Sequence, residues 1–396
     1  MYIKIPNNII CLHDKIEKNL LMYNKKNKKY YRVKDSLFEE NDILNNCKAS
    51  EIYMCNKAIK HLLEEDVLIV SSENNDVALI REKFSELPLD VIQLEVTKRC
   101  NFRCVHCFHG IENSPKDIPL EIIKKIVDQA SEIGVFEFDI TGGEPLLRKD
   151  IKDILKYIHM NGMRTRLYTN GFLLNEEFID FLKEIDIHCV RISVDGIDEK
   201  VHDEIRQCKS FQRIMKNIDL LIEKDIDVEI VTVAMKRNYE QMNEIISFFK
   251  EKKKIRHFVD AYIPVESEEL AIKEEDFAQI MCNKIGDKCT TLSLKERHCG
   301  IAYNYVYINV DMNLQLCPML KNEIIELFYD GVPCLKKAWK KLKEKYSNLT
   351  CENISNCSLG VYCGGGCRAR AFYKTKNLKG IDTYICEVYK KLTEEN

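Results

Sequence analysis

The stretch VIQLEVTKRCNFRCVHC, residues 91–107, decides how the chain is read. Its opening half is apolar and β-branched, the composition of a buried strand, and Lys98 and Arg99 lead straight into Cys100, Cys104 and Cys107. Three thiols at a four-then-three step on one loop can close around an iron–sulfur cube and leave one iron without a protein ligand. The same spacing also suits a zinc site completed by His106 or His109.

Outward from this loop, strand-like segments (91–97, 136–141, 164–168, 188–193, 227–233 and 257–263) alternate with helix-like ones (120–133, 151–160, 176–185, 211–223 and 239–252). The alternation predicts an α/β chain of parallel units with right-handed crossovers, closed as a partial (β/α)6 TIM-like barrel or wound as an open sheet. In both arrangements chemistry belongs at the C-terminal ends of the strands. Those ends carry GGEP (142–145), TNG (169–171) and SVDG (193–196), the last followed by HDEIR (202–206). The glycines allow close backbone approach to a ligand, and Glu144 can accept from an ammonium group. Polar turns at successive strand ends beside a three-cysteine loop describe one convergent site.

At about 150 residues per domain, 396 residues suggest two or three domains. We read residues 1–87 as a small α+β unit, 88–293 as the barrel and 294–396 as a metal-held region, with 71–87 as the first connector. In the first unit, residues 2–5, 30–33 and 67–70 are strand-like, and 39–45 and 50–65 helical. A net charge of −3, from 60 basic and 63 acidic residues, offers no general attraction to nucleic acid. No apolar run approaches 18 residues and the start lacks a secretory core, so the expectation is a cytoplasmic protein that crosses no membrane. There, the 18 cysteines are more suited to metal than to disulfides. Seven of them, Cys299, Cys317, Cys351, Cys357, Cys363, Cys367 and Cys386, follow in series after the barrel, with zinc ribbons as the alternative. Six others, Cys11, Cys47, Cys55, Cys189, Cys208 and Cys282, have no motif spacing and are expected to be mostly buried.

The cysteine spacing in front of GGEP resembles the radical S-adenosylmethionine superfamily. The resemblance implies that Cys100, Cys104 and Cys107 hold a 4Fe-4S cluster whose free iron chelates S-adenosylmethionine. Gly142, Gly143 and Glu144 would receive the methionyl ammonium; Asn170, Ser193 and Arg206 match positions that contact ribose or carboxylate; His106 stands where a flat ring packs near the adenine. The implied chemistry is one-electron cleavage to a 5′-deoxyadenosyl radical that abstracts a substrate hydrogen, fed by an external reductant such as flavodoxin or ferredoxin under anaerobic conditions.

The later cysteines resemble the SPASM domain of peptide-modifying members. By position, Cys299, Cys317 and Cys367 would hold one auxiliary 4Fe-4S cluster and Cys351, Cys357, Cys363 and Cys386 the other, with Cys289 and Cys334 as candidate fourth ligands of the first. Met312 replaces a usual glycine, and Cys351 and Cys357 are spaced more widely than the usual pair. The first unit resembles a PqqD-like winged-helix module, which binds a leader peptide as an added strand. The function implied is maturation of a ribosomal precursor peptide, by a thioether or other side-chain cross-link. Sulfatase maturation by formylglycine formation, peptide epimerisation, C–C cross-linking and a non-catalytic zinc scaffold are the alternatives.

Overall fold

A computed structural model describes residues 2–5, 9–14, 19–24, 30–34, 57–71, 80–83, 89–109, 116–252, 254–265, 267–285, 300–347, 349–358 and 360–394. The central sheet contains six parallel strands: β7 (Val91–Glu95), β8 (Glu137–Thr141), β9 (Arg164–Thr169), β10 (Cys189–Ser193), β11 (Val228–Ala234) and β12 (Ile255–Ala261). They lie side by side in chain order, from β7 to β12. Sequential order is that of a singly wound partial barrel, since an open doubly wound sheet reverses direction from an inner strand. The open-sheet alternative is thereby removed.

Helices α2 (Leu120–Glu132), α3 (Ile151–Met160), α4 (Glu176–Glu184), α6 (Phe211–Glu223) and α7 (Met242–Glu251) return the chain between strands, and the short α5 (Glu199–Arg206) precedes α6. Each buries one stripe. In α2 it is Ile123, Ile126, Val127 and Ala130, at the three- and four-residue steps that place side chains on one face. Burying each large aliphatic side chain there contributes about 1.5–3 kcal/mol. Asn175 and Asp198 start α4 and α5 by accepting from Phe178 N and Val201 N, at 2.8 and 2.9 Å. Phe138, Ile140, Leu167, Val190 and Ile192 join the core beneath the helices. Alternate residues face inward and are polar: Arg166 binds Glu137 (2.7 Å), Asp139 (2.9 Å) and Glu229 (3.3 Å).

Two boundaries differ from the sequence reading. The strand expected within the third region, β13 (Tyr305–Ile308), pairs in parallel with β7, Ile308 opposite Leu94, so the region extends the barrel's own sheet through β14 (Asn313–Gln315) and β15 (Ile324–Glu326). The first barrel strand has an open edge there, and an apolar strand that can satisfy its backbone groups closes it. Farther on the chain is largely helical, with α9 (Leu335–Lys345), α10 (Arg368–Thr375) and α11 (Thr383–Glu394). The last packs on α8 (Glu274–Ile285), Tyr384 meeting Phe277 edge-on at 5.8 Å.

The other boundary is in the first unit, which contains α1 (Lys57–Glu64) and the strands β1 (Tyr2–Lys4), β2 (Ile9–Asp14), β3 (Asn19–Asn24), β4 (Tyr30–Lys34), β5 (Ile69–Ser71) and β6 (Ile80–Lys83). β6 lies within the expected connector and pairs in parallel with β2. The sheet order is β4-β3-β2-β6, with β1 and β5 paired separately. Leu20, Met22, Ile59, Leu62 and Leu68 form its own small core. The helix expected over 39–45 lies outside the described residues. No helix among the described residues is long and apolar enough to cross a membrane.

Candidate functional site

The β7–α2 loop brings Cys100, Cys104 and Cys107 together as half-buried cysteines outside any disulfide. The loop is tied down on three sides. Gly143 N donates to Thr97 O (2.8 Å) and Glu144 N to Arg99 O (2.7 Å), while Val105 N donates to Ile205 O (2.9 Å) at the end of α5. Asn170 Nδ2 donates to Asn101 Oδ1 at 2.8 Å, and Asn170 Oδ1 accepts from Phe172 N at 3.0 Å. The close approach permitted by Gly142 and Gly143 is to the chain itself: a Cβ on either would lie 2.6 Å from Thr97 O or 2.3 Å from Arg99 O.

Glu144 is fully buried. Its Oε1 accepts from Leu146 N (3.0 Å) and Thr169 Oγ1 (2.8 Å), and its Oε2 from Asn170 N (2.7 Å). Burial pushes the carboxyl up to about 7 despite these donors. Glu144 thus braces the ends of β8 and β9 beneath the turn. Burial also pushes the Cys100 thiol up to about 11, reinforced by negative charge on Glu144, Cys104 and Cys107.

Sequence reasoning missed Asp195, although SVDG contains it. Asp195 is inaccessible to solvent and forms an ion pair with Arg206, Nη2 lying 2.6 Å from Oδ2, with His106 Nε2 3.6 Å from the same oxygen. Its Oδ1 accepts from Val233 N at 2.9 Å and its main-chain oxygen from Asn238 Nδ2 at 3.0 Å. Arg206 also places Nη1 3.7 Å from Cys104 Sγ. Burial opposes both charges, but each holds the other ionised: Arg206 is raised and Asp195 lowered. His106 is pushed down to about 4 by burial, against the pull of Asp195. Ser193 ends β10 opposite Val231. A short motif reveals such residue types but not this pairing across two elements.

A second group lies in the C-terminal region. Burial pushes the Cys386 thiol up to about 11, and the charges of Cys363, Asp382, Cys351 and Cys357 add to it. Burial raises Cys363 as well, with Cys357 and Cys351 contributing. Cys386 and Cys363 thus each lie within electrostatic reach of the other three thiols assigned to one auxiliary set. Between Cys363 and Cys367 the three glycines all adopt positive φ, 59, 90 and 72°, a run that side-chain-bearing residues avoid. Cys367 N donates to Asp382 Oδ2 at 2.7 Å, and Arg370 Nη2 holds the same oxygen at 2.9 Å. Cys317 is half-buried and lies within electrostatic reach of Tyr307 and Tyr373. Cys334 caps α9. Cys299 and Cys289 lie outside the described residues.

The thiols of Cys100, Cys104 and Cys107, gathered on one loop, are of the donor type that an iron–sulfur cluster takes. Neighbouring negative charge opposes ionisation of thiols such as Cys100, which therefore need a cationic partner to ionise together. One zinc requires sulfurs about 2.3 Å from a common centre, whereas a cube separates its ligands more widely.

Residues 94–249 match the Radical SAM superfamily, and this part of the chain is a Radical SAM domain. The chain is 30% identical over 198 residues to the AdoMet-dependent heme synthase of Methanosarcina barkeri (strain Fusaro / DSM 804), covering 48% of this chain and 56% of that protein. It is 25% identical over 308 residues to AlbA of Bacillus subtilis (strain 168), an antilisterial bacteriocin subtilosin biosynthesis protein, covering 71% of this chain and 68% of AlbA. The chain thus spans between about half and two thirds of the length of these relatives. The fold matches that of Streptococcus suis SuiB bound to the precursor peptide SuiA, with a TM-score of 0.67 and 18% identity over 96% of this chain and 99% of SuiB.

Proposed function

We propose that this chain is a radical S-adenosylmethionine enzyme that modifies a ribosomally made precursor peptide, forming a thioether or another side-chain cross-link. One observation carries the reading: a three-cysteine loop braced at the C-terminal end of the first strand of a six-strand partial barrel, in a chain with a second group of thiols within electrostatic reach of one another, Cys351, Cys357, Cys363 and Cys386. AlbA's role in subtilosin biosynthesis and SuiB's complex with its precursor peptide support the substrate class.

In this reading Cys100, Cys104 and Cys107 hold the 4Fe-4S cluster that binds S-adenosylmethionine. Cys351, Cys357, Cys363 and Cys386 hold one auxiliary cluster, and Cys299, Cys317 and Cys367 contribute to another. When bound, the cluster and S-adenosylmethionine supply one-electron cleavage to a carbon radical that abstracts hydrogen. The chain supplies position and exclusion of water. Gly142 and Gly143 form the turn that meets the methionyl ammonium, with Glu144 fixing it from below. Asn170 and Ser193 stand at the neighbouring strand ends, with His106 and Arg206 beneath the loop. Residues 1–87 take the leader peptide, and a flavodoxin- or ferredoxin-like protein delivers electrons in the cytoplasm. Sulfatase maturation is less well supported: Pro318 stands where such enzymes carry an aspartate, and Asp311 is engaged by Lys98 (3.5 Å) and Lys116.

The test is iron, sulfide and zinc content together with 5′-deoxyadenosine formation, on anaerobically reconstituted protein and on a Cys100/Cys104/Cys107→Ala variant. About twelve irons, with deoxyadenosine from the parent alone, is the expected result for three four-iron clusters. Bound zinc without iron, and no deoxyadenosine from the parent, would leave a scaffold.

A further inference from the structure

Arg206 matches a position expected to contact S-adenosylmethionine, yet its side chain is only 8% exposed and its guanidinium is shared between Asp195 and Cys104. Nη2 lies 2.6 Å from Asp195 Oδ2, and Nη1 lies 3.7 Å from Cys104 Sγ. Asp195 is fixed in turn by Val233 N and, through its main chain, by Asn238. The other titratable groups around the pair are His106 and Cys107, on the cysteine loop, and His202, one turn before Arg206 on α5. The pair is a buried charged element beneath the loop, in a region of low dielectric where charges act strongly.

Resting on the proposed function, we infer that the Asp195–Arg206 pair sets the reduction potential of the cluster held by Cys100, Cys104 and Cys107, Arg206 acting through its N–H contact with Cys104 Sγ as a positioning and tuning residue. Reduction adds one negative charge to the cluster. The guanidinium stabilises that charge and the carboxylate opposes it, and hydrogen bonds to cluster sulfurs and local net charge are established levers on such potentials. Substitution of the two partners must then shift the potential in opposite directions. A merely structural pair, whose loss loosens the loop, gives shifts of one sign or none.

The experiment is an anaerobic potentiometric titration of the full-length reconstituted protein, following the reduced-cluster electron paramagnetic resonance signal that responds to added S-adenosylmethionine. At a fixed potential R206Q is expected to lower the reduced-to-oxidised ratio about tenfold, equivalent to about 59 mV for one electron. D195N, which leaves the guanidinium uncompensated, is expected to raise the ratio by a similar factor. R206K keeps the charge without the planar fork and is expected to fall between parent and R206Q, which also covers the case in which R206Q does not fold. Shifts of the same sign, or changes below about twofold in both R206K and D195N, would overturn this inference while leaving the proposed function standing. A parent that binds no iron and gives no such signal would overturn both.

Discussion

An alanine at Gly143 has no room for its methyl group. The Cβ would lie 2.3 Å from Arg99 O, 2.7 Å from Arg99 C and 2.8 Å from Lys98 O, all main-chain atoms that cannot rotate away. Ordinary carbon contacts fall near 3.5–4.0 Å, so the GGEP turn and the start of the cysteine loop must part by about 1 Å. That separation breaks Gly143 N to Thr97 O and Glu144 N to Arg99 O, at 2.8 and 2.7 Å. Each such bond contributes about 1 kcal/mol net, and overpacking a closed site costs about 1–3 kcal/mol. Against this, alanine restricts the unfolded chain by about 0.4–1 kcal/mol. The net loss is about 2–4 kcal/mol, or roughly 5–15 °C in the barrel's thermal midpoint. Thermal and urea unfolding followed by circular dichroism would read it. Gly331→Ala is the control: its φ is +78° but nothing lies within 4 Å, so it bears only the left-handed strain of about 1–2 kcal/mol. If Gly143→Ala unfolds within about 0.5 kcal/mol of the parent, or costs no more than Gly331→Ala, the argument that these glycines serve backbone-to-backbone packing is wrong.

The C-terminal glycines have a parallel test. Gly366→Ala combines a φ of +72° with a Cβ 2.7 Å from Asp382 Oδ2, so it is expected to displace Asp382 from Cys367 N and lower the auxiliary iron content while leaving the cluster that responds to S-adenosylmethionine; unchanged iron would count against it. The histidines predict acid sensitivity. Burial pushes His257 down to about 3 from 6.5, helped by Lys284, so below pH 6.5 the unfolded chain takes up a proton that the folded chain refuses. Its contribution to stability is present above pH 6.5 and is lost as pH falls toward 3. His257→Gln is expected to make the fall in unfolding free energy between pH 6 and 4 shallower by up to about 1.4 kcal/mol per pH unit, and an unchanged slope would refute the assignment.

The parts legible from sequence were those carried by local patterns. Apolar periodicity marks α2 by Ile123, Ile126, Val127 and Ala130, because a helix buries side chains at fixed steps whatever it packs against. Cys100, Cys104 and Cys107 were readable because loop spacing alone brings their thiols together. In the first unit β2 and β3 were missed, since short strands there compete with frequent Lys and Asn that weaken the pattern.

Sequence by itself determined the alternation of strands and helices, the cysteine series and the turn residues at the strand ends. Only tertiary structure decided that β13 closes the open edge of β7, that Glu144 braces two strand ends, and that Asp195 and Arg206 meet beneath Cys104. The physical reason is the range of the forces involved. Periodicity and spacing act within a few residues, whereas edge pairing and the satisfaction of buried charge are settled by whichever partner the completed fold brings within reach.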